Sequence, residues 1–493
     1  MEYPAYPPRP SKEEADFINA TAIDWSLGNG LAMLSPEGKG VTAVHAPITV
    51  YPSPFPKSAM ANALAVQTAF NELYVRVADN EKWLEESLTD VFKLDSDFTG
   101  KLWESYLKVK ATGLTQHLTL GLFRSDYIVD KHAEGYQGSA AIKQIEFNTV
   151  SISFGALSSK ISQLHTYLSE SGTYGETGKH IEPSVSDSLV KLSDGLAVAH
   201  KEYVATASPA GKTAVLFVVQ PGERNVFDQR HLEYRLYEAY GIISYRLTLA
   251  EIREHTKYVK DAAAGFTRLV HTASGAEISL VYYRSGYAPT DYPSETEWDA
   301  RVYLESTHAI KCPSLLTQIS GSKKIQQILT DPAVIRQFIP ETEPALVDQL
   351  EATFVKIHPM DNSPAGLKAR EAAFATPERF VLKPQREGGG NNIYKENIPD
   401  FLRSTPEDTW GAYILMELIV PPDFKNKILR AGEIYDGEII SELGVFGTAL
   451  WNQQTSEIKH NEQAGWLLRS KLKSSNEGGV AAGFGCIDSV YLF

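Results

Sequence analysis

The chain has 493 residues, with 47 basic and 61 acidic side chains and a formal net charge of −14. An acidic surface argues against nonspecific nucleic-acid or membrane binding, though basic groups can still converge locally in a cleft. Hydrophobic residues at 43% and charged residues at 22% exclude a largely disordered, collagen-like or coiled-coil chain, and at about 150 residues per unit the length predicts roughly three domains.

Residues 11–34 read as a short helix and a turn. From 59 to 110 apolar residues fall three or four apart (Phe70, Leu73, Val77, then Leu84, Leu88, Phe92), which predicts a helical pair or hairpin. TLGLFRSDY (119–127) and KQIEFNTVSISF (143–154) read as strands, and 155–168 as a helix. AVLFVVQPGERN (214–225) and ISLVYYRSGY (278–287) each read as a strand running into a polar turn, with helices over 231–240 and 293–310. Strand, polar turn and helix in alternation is the signature of α/β architecture. ATASPAGK (205–212) reads as a linker, GSKK (321–324) as the end of a middle unit, and HPMDNSPAG (358–366) as a second break. RFVLKPQ (379–385), YILMELI (413–419) and IISELGVFG are further strands, and NEGGVAAGFG (476–485) is a closing Gly-rich loop. AVLFVV falls far short of the ~20 apolar residues that span a bilayer. MEYPAYPPRP has no apolar stretch of the kind a secretory leader carries. Cys312 and Cys486 lie far apart and outside any CxxC. They are expected to be buried, free and in a reducing, cytoplasmic setting.

Four strands run into charged or amide residues, and open α/β sheets bind ligands at the carboxyl ends of strands. The sharpest segment is LKPQREGGGNNIY (382–394). Gly388, Gly389 and Gly390 expose backbone N–H groups and permit close approach to a polyphosphate. Lys383 adds a point charge, and Glu387 suits Mg²⁺, a hard cation that takes oxygen ligands. Read alone, three glycines fit a flexible turn with solvated charges better; the preceding strand and the flanking charges weigh against that reading. No GxxxxGK[ST] loop and no dinucleotide fingerprint occurs.

Glu146 and Asn148 share one face of a strand by period two, which fits a Mg²⁺ site or a half-exposed strand face. Ser151 and Ser153 continue that region as hydrogen-bond donors. Arg124, Arg224, Arg284 and Arg469 follow or end strands. Each alone reads as a surface ion pair; together they suit a substrate with several carboxylates, or the charge of a transition state. Glu417 on the apolar YILMELI strand fits either an adenine wall or a core edge strand. No GxSxG elbow, HExxH pair or Cys–His signature appears.

Taken together and in this order, FRSDY, IEFNTVSISF, ERNVFDQ, YYRSGY, GSKKIQQ, VLKPQREGGGNN, YILME, ISELG, LLRSK and GGVAAG are specific. The chain resembles the eukaryotic glutathione synthetase family, in its fungal form, over nearly its whole length. The resemblance implies an α/β ATP-grasp fold of permuted chain order. It implies an N-terminal part at 1–212, an inserted α/β substrate-binding domain at 213–325 and a C-terminal part at 326–493. The last would carry a glycine-rich lid at about 355–440. It also implies a homodimer and a ligase joining γ-glutamylcysteine to glycine, with ATP giving ADP and phosphate.

By position, the resemblance makes Glu146, Asn148 and Glu387 the magnesium ligands, two ions being expected with ATP, and Lys323 and Lys383 the phosphate lysines. The run Lys383, Pro384, Gln385, Arg386, Glu387, Gly388, Gly389, Gly390, Asn391 and Asn392, with Tyr394, would cover ATP. Met416, Glu417, Leu418 and Ile419 would line the adenine, with Glu442, Lys471 and Glu477 also on the nucleotide. Arg124, Val150, Ser151, Ile152, Ser153, Glu223, Arg224, Asn225, Gln229, Arg284 and Tyr287 would hold the dipeptide. Arg469, Val480 and Ala481 would complete that site, Arg469 stabilising the tetrahedral species. Ser285 departs from the acidic residue many members carry there. The Val480–Ala481–Ala482 run resembles the glycine-using form. A ligase using another amino acid, a kinase, and a silent ATP-binding relative share the ATP site, and the last is expected to lack one of Glu146, Glu387, Lys323 or Lys383.

Overall fold

The computed structural model describes residues 6–37, 40–132, 141–339, 344–475, 478–480 and 483–493. Glu477 and Ala481 lie outside them, as does Ala482.

The first helix is longer than expected, Lys12–Gly28, because Ser11 and Glu14 form a reciprocal capping box at its start; a short strand, Ala32–Leu34, follows it. The expected helical pair is four helices: Lys57–Ala65, Gln67–Asp79, Glu81–Leu94 and Lys101–Thr112. A single π turn, Ser96–Gly100, joins the last two. Period-3.6 patterning gives each helical face but not the breaks between helices, which Asn80 and Asp95 set by capping.

Thirteen strands form one mixed sheet among the described residues. Its parallel part is Ile243–Leu247, Thr213–Val218, Glu277–Tyr283 and Ile310–Cys312. It continues through Lys311 beside Thr119 into the strand Leu118–Asp130. That strand is antiparallel to Ala141–Asn148 on one side and to Glu433–Asn452 on the other. Glu433–Asn452 and Glu457–Leu472 form a long hairpin where one strand was expected. Phe424–Arg430, Ile48–Thr49 and Gly485–Asp488 close a ring onto this hairpin.

FRSDY and LLRSK lie inside long strands rather than at strand ends. Both faces of Leu118–Asp130 are covered, so polar residues in its middle are buried rather than solvated. The 143–154 stretch leaves the sheet at Asn148, because Ser151 (φ 50°) and Phe154 (φ 67°) take left-handed backbone angles. The next helix, Gly155–Glu170, is capped in trans by Asp228, whose carboxylate accepts from the N–H groups of Phe154, Ala156 and Leu157.

A smaller four-stranded sheet orders Ile357–Pro359, Tyr413–Glu417, Phe380–Pro384 and Ile393–Tyr394. YILME is thus an inner strand, not an edge. Side chains alternate along these strands. Phe380, Leu382 and Leu415 pack against the helices Pro364–Ala375 and Asn397–Ser404. Val381, Ile414 and Met416 face the other way with Val355 and Ile357, and Ile145 of the large sheet packs against them. Lys383 shares that second face. Cys312 and Cys486 are free and buried. No helix among the described residues is long and apolar enough to cross a membrane.

Candidate active site

The residues between the two sheets form one charge cluster. Phe147 anchors its floor: it stacks on Tyr74 with ring centroids 3.8 Å apart. That fixes Glu146 and Asn148 on the opposite face of the strand. The paired short helices Leu315–Ser320 and Lys323–Ile328 dock on the end of this strand. Gln326 Nε2 donates to the carbonyls of Phe147 and Gly321 at 3.0 Å each. A Cβ at Gly321 would sit 2.3 Å from Thr149 Oγ1, so only glycine permits this approach.

The docking places Lys323 Nζ 2.5 Å from Glu146 Oε1 and 2.8 Å from Glu387 Oε1. Lys383 Nζ, reaching in from the small sheet, donates to the Ile145 carbonyl at 3.0 Å. Burial works against charge on all of these groups. For Glu146 the nearby Lys323 and Lys383 outweigh it and hold the carboxyl low; for Glu387 burial prevails and raises it, Glu146 adding to the rise. Burial lowers Lys383, with Glu146 opposing.

Asp126, with no exposed surface, is the hub that sequence reading passed over. Arg124 pairs with it through Nε at 2.6 Å and Nη2 at 2.7 Å. Asn148 Nδ2 adds a bond at 3.0 Å and Arg469 Nη2 another at 3.2 Å. Arg469 also bonds Glu442, its direct cross-strand neighbour. Arg124 is therefore held in a buried pair and Arg469 in half-buried ones, not in surface pairs. The only signal for Asp126 in the sequence is its spacing, two residues after Arg124 on one strand.

The residues expected to hold the dipeptide form a second group of hydrogen bonds. Arg284 is 3% exposed; it bonds the Ile152 carbonyl and, at 2.7 Å, Ser153 Oγ. Ser151 Oγ donates to the Tyr283 carbonyl at 3.0 Å. Glu223 accepts from Asn225 N–H at 2.7 Å and from Gln229 Nε2 at 2.9 Å. Arg224 Nε donates to the Leu34 carbonyl at 3.1 Å. Val150, Ile152 and Val480 are buried. Gly388 joins this group to the glycine-rich loop: at φ 80°, a Cβ there would lie 3.3 Å from Tyr287 Cε2.

Among the residues expected on the nucleotide, Leu418 and Ile419 pack against the apolar face that carries Met416. Glu417 Oε1 lies 3.5 Å from His358 Nε2. Gln385 bonds the Lys324 N–H at 3.1 Å and the Ala412 carbonyl at 3.1 Å. The Arg386 guanidinium turns onto Asp95 at 2.6 Å. Asn391 and Asn392 hold the loop and Tyr394. Pro384 ends the strand, and Lys471 lies opposite Ile440 in the long hairpin.

No three His, Cys, Asp or Glu side chains among the described residues form a metal-binding group. The donors present nevertheless fit Mg²⁺. Two carboxylates converge on one cationic position, now held by the Lys323 ammonium, and Asn148, with Nδ2 committed to Asp126, keeps its amide oxygen for a cation. Mg²⁺ bound with phosphates needs only one or two carboxylates and keeps several waters.

The model of the eukaryotic glutathione synthase ATP-binding domain matches residues 12–492. The chain belongs to this family. It is an ATP-dependent ligase of glutathione synthesis. Among its relatives, the glutathione synthetase large chain of Schizosaccharomyces pombe is 38% identical, with both chains covered completely. Glutathione synthetase of Homo sapiens is 38% identical with 97% of each chain covered. The chloroplastic glutathione synthetase of Arabidopsis thaliana is 39% identical over 98% of this chain and 86% of the relative. A glutathione synthetase-like effector from Globodera pallida, in its apo form, superposes with a TM-score of 0.74 over 98% of both chains. At 21% identity that likeness speaks to the fold alone.

Proposed function

We propose that this cleft joins γ-glutamylcysteine to glycine through an acyl phosphate. One observation carries the reading: Lys323 and Lys383 flank the Glu146–Glu387 pair beneath the glycine-rich loop, and Arg284, Ser151 and Ser153 lie beside them.

Lys323 and Lys383 align the phosphates of ATP from the two sides. Arg284, Ser151, Ser153, Glu223 and Gln229 hold the dipeptide so that its terminal carboxylate oxygen meets the γ-phosphorus. That oxygen forms the new P–O bond as the bond to ADP breaks. The glycine amine, having lost a proton, then attacks the acyl carbon, and phosphate leaves with the C–O bonding pair. Arg469 donates to the oxyanion of the tetrahedral species. The glycine-rich loop excludes water, which would otherwise hydrolyse the acyl phosphate. No side-chain nucleophile is needed, which agrees with the absence of a triad or reactive thiol motif. Glu146, Glu387 and Asn148 would hold magnesium, which would supply positive charge against the charge that develops on the transferring phosphoryl group.

The division at 1–212, 213–325 and 326–493, with the lid at about 355–440, is part of this proposal. The parallel strands of 213–283 and the separate small sheet of 357–417 support it. The resemblance of the Val480–Ala481–Ala482 run to the glycine-using form supports glycine as the acceptor. The family resemblance supports a homodimer. Two buried free thiols support a reducing compartment, which we read as the cytoplasm.

The test uses γ-glutamylcysteine labelled with oxygen-18 in the reacting carboxylate. One label should appear in the released phosphate for each glutathione formed. Phosphate free of label would rule out the acyl phosphate.

A further inference from the structure

We propose that Asp95 and Phe98 form a docking socket for Arg386, and that this socket positions the glycine-rich loop, and Glu387 with it, for Mg–ATP. The inference rests on the ligase reading of the cleft. Asp95 is a positioning residue; it touches no reacting atom.

Arg386 begins the glycine-rich loop, yet its guanidinium leaves the cleft. Nη2 lies 2.6 Å from Asp95 Oδ1 and 3.9 Å from Asp97 Oδ1. Nη1 donates to the Gln385 carbonyl at 2.7 Å, and the guanidinium lies 5.6 Å from the Phe98 ring centroid. Asp95 and Phe98 are each 5% exposed. Both belong to the N-terminal helical segment, remote in sequence from the loop.

The π turn makes the socket specific. Asp95 ends the helix Glu81–Leu94, and its Oδ2 accepts from Thr99 N–H at 3.2 Å and Thr99 Oγ1 at 2.5 Å. Oδ1 is thereby left to face Arg386. Gly100 N–H closes the turn onto the Asp95 carbonyl at 2.9 Å. A Cβ at Gly100 would fall 2.5 Å from the Phe92 carbonyl oxygen, so the turn admits only glycine. Single π turns of this kind recur at functional sites. Without Arg386, Asp95 would keep a buried carboxylate with no cation on Oδ1, a costly state.

The socket acts on the next residue. Arg386 points into it and Glu387 points the other way, onto Lys323 at 2.8 Å. Pinning Arg386 therefore fixes the backbone from which Glu387 projects. Beyond Glu387 the loop is glycine-rich, with Gly388 and Gly390 at φ 80° and 92°. Such backbone loses much conformational freedom when it orders over a ligand. An anchor at the start of the loop reduces the part of that loss that falls on nucleotide binding.

The experiment compares the full-length protein with R386A, R386K, D95N and the D95N/R386A double variant. R386A leaves the Asp95 cap of the turn intact, and D95N keeps an acceptor for Thr99. Mg–ADP affinity is measured by calorimetry, KM for ATP and for γ-glutamylcysteine by kinetics, and amide hydrogen exchange over 387–392 by mass spectrometry. Loss of one charge-assisted bond should weaken Mg–ADP binding and raise the ATP KM by about tenfold. The γ-glutamylcysteine KM should stay constant and exchange of the loop should quicken. R386K should recover part of the loss, and the double variant should be no worse than the worse single one. Unchanged ATP KM and exchange in both single variants, or effects that multiply in the double variant, would overturn the socket while leaving the ligase reading standing. Failure of the unaltered protein to bind Mg–ADP would overturn that reading itself, and the socket with it.

Discussion

Arg124 and Asp126, two residues apart on one strand, form a buried bidentate ion pair at 2.6 and 2.7 Å. The same carboxylate takes Arg469 at 3.2 Å and Asn148 at 3.0 Å. One aspartate thus orients two arginines proposed for the substrate and the amide proposed for magnesium. Breaking a buried pair from one side leaves its partner's charge unpaired, at a cost of about 3–5 kcal/mol.

Asp126→Asn should therefore hurt both chemistry and fold. We expect kcat to fall by about 100-fold or more, equivalent to roughly 2.7 kcal/mol of barrier, and the melting temperature to drop. Steady-state kinetics and a thermal melt on the same preparation check this. Turnover near that of the unaltered protein would show that Arg124 and Arg469 do not depend on the hub.

Glu387→Gln keeps the shape and a hydrogen-bonding oxygen but removes the charge on the loop. Glutathione formation should collapse by about 100-fold or more, the scale of losing a key electrostatic group, while circular dichroism stays unchanged. Raising Mg²⁺ should not restore it. Near-normal turnover at saturating Mg²⁺ would refute the metal assignment.

Arg284 bonds Ser153 and the Ile152 carbonyl, both on the segment proposed for the dipeptide. Arg284→Ala should raise the KM for γ-glutamylcysteine by about tenfold or more, as expected for one lost charge-assisted interaction. The ATP KM should change little. Equal effects on both substrates would remove Arg284 from the dipeptide site.

His165 provides a pH test away from the cleft. It is fully buried; Nε2 donates to the Thr49 carbonyl at 2.9 Å, so Nδ1 accepts from Ser489 Oγ at 2.6 Å. Burial lowers its pKa from 6.5 to about 4, with the Thr49 bond opposing. Between pH 6.5 and 4 the unfolded chain binds the proton and the folded chain does not. This residue's contribution to stability therefore falls as the pH drops, by about 1.4 kcal/mol per unit at most. His165→Asn should be the less stable protein at pH 7, and its deficit should shrink between pH 6.5 and 4.5. Thermal melts of the two proteins across that range check this. A deficit that stays constant or widens would contradict the assignment.

Local patterning made much of this molecule legible. Period-two alternation placed Glu146 and Asn148 on one face, and the glycine triplet after RFVLKPQ marked the loop that carries Glu387. The apolar runs read from 214, 278 and 379 start as strands within one residue of those positions, at 213, 277 and 380. What failed was whatever depends on pairing between distant segments. FRSDY reads as a strand end because its polar residues look solvated, and nothing local shows that Glu433–Asn452 covers it. The hairpin through LLRSK is hidden for the same reason. Asp95 and Arg386 meet only because the small sheet lies over the helical segment. Asp126 was within reach of sequence reasoning: a carboxylate two residues from an arginine on one strand is placed to pair with it.

The most direct measurement is ADP release by the purified protein with Mg²⁺ and ATP, adding γ-glutamylcysteine and glycine separately and together. Full ADP formation is expected only with both, matched one for one by glutathione. Full-rate ADP formation with the dipeptide alone, or no turnover from protein that still binds ATP, would contradict that expectation.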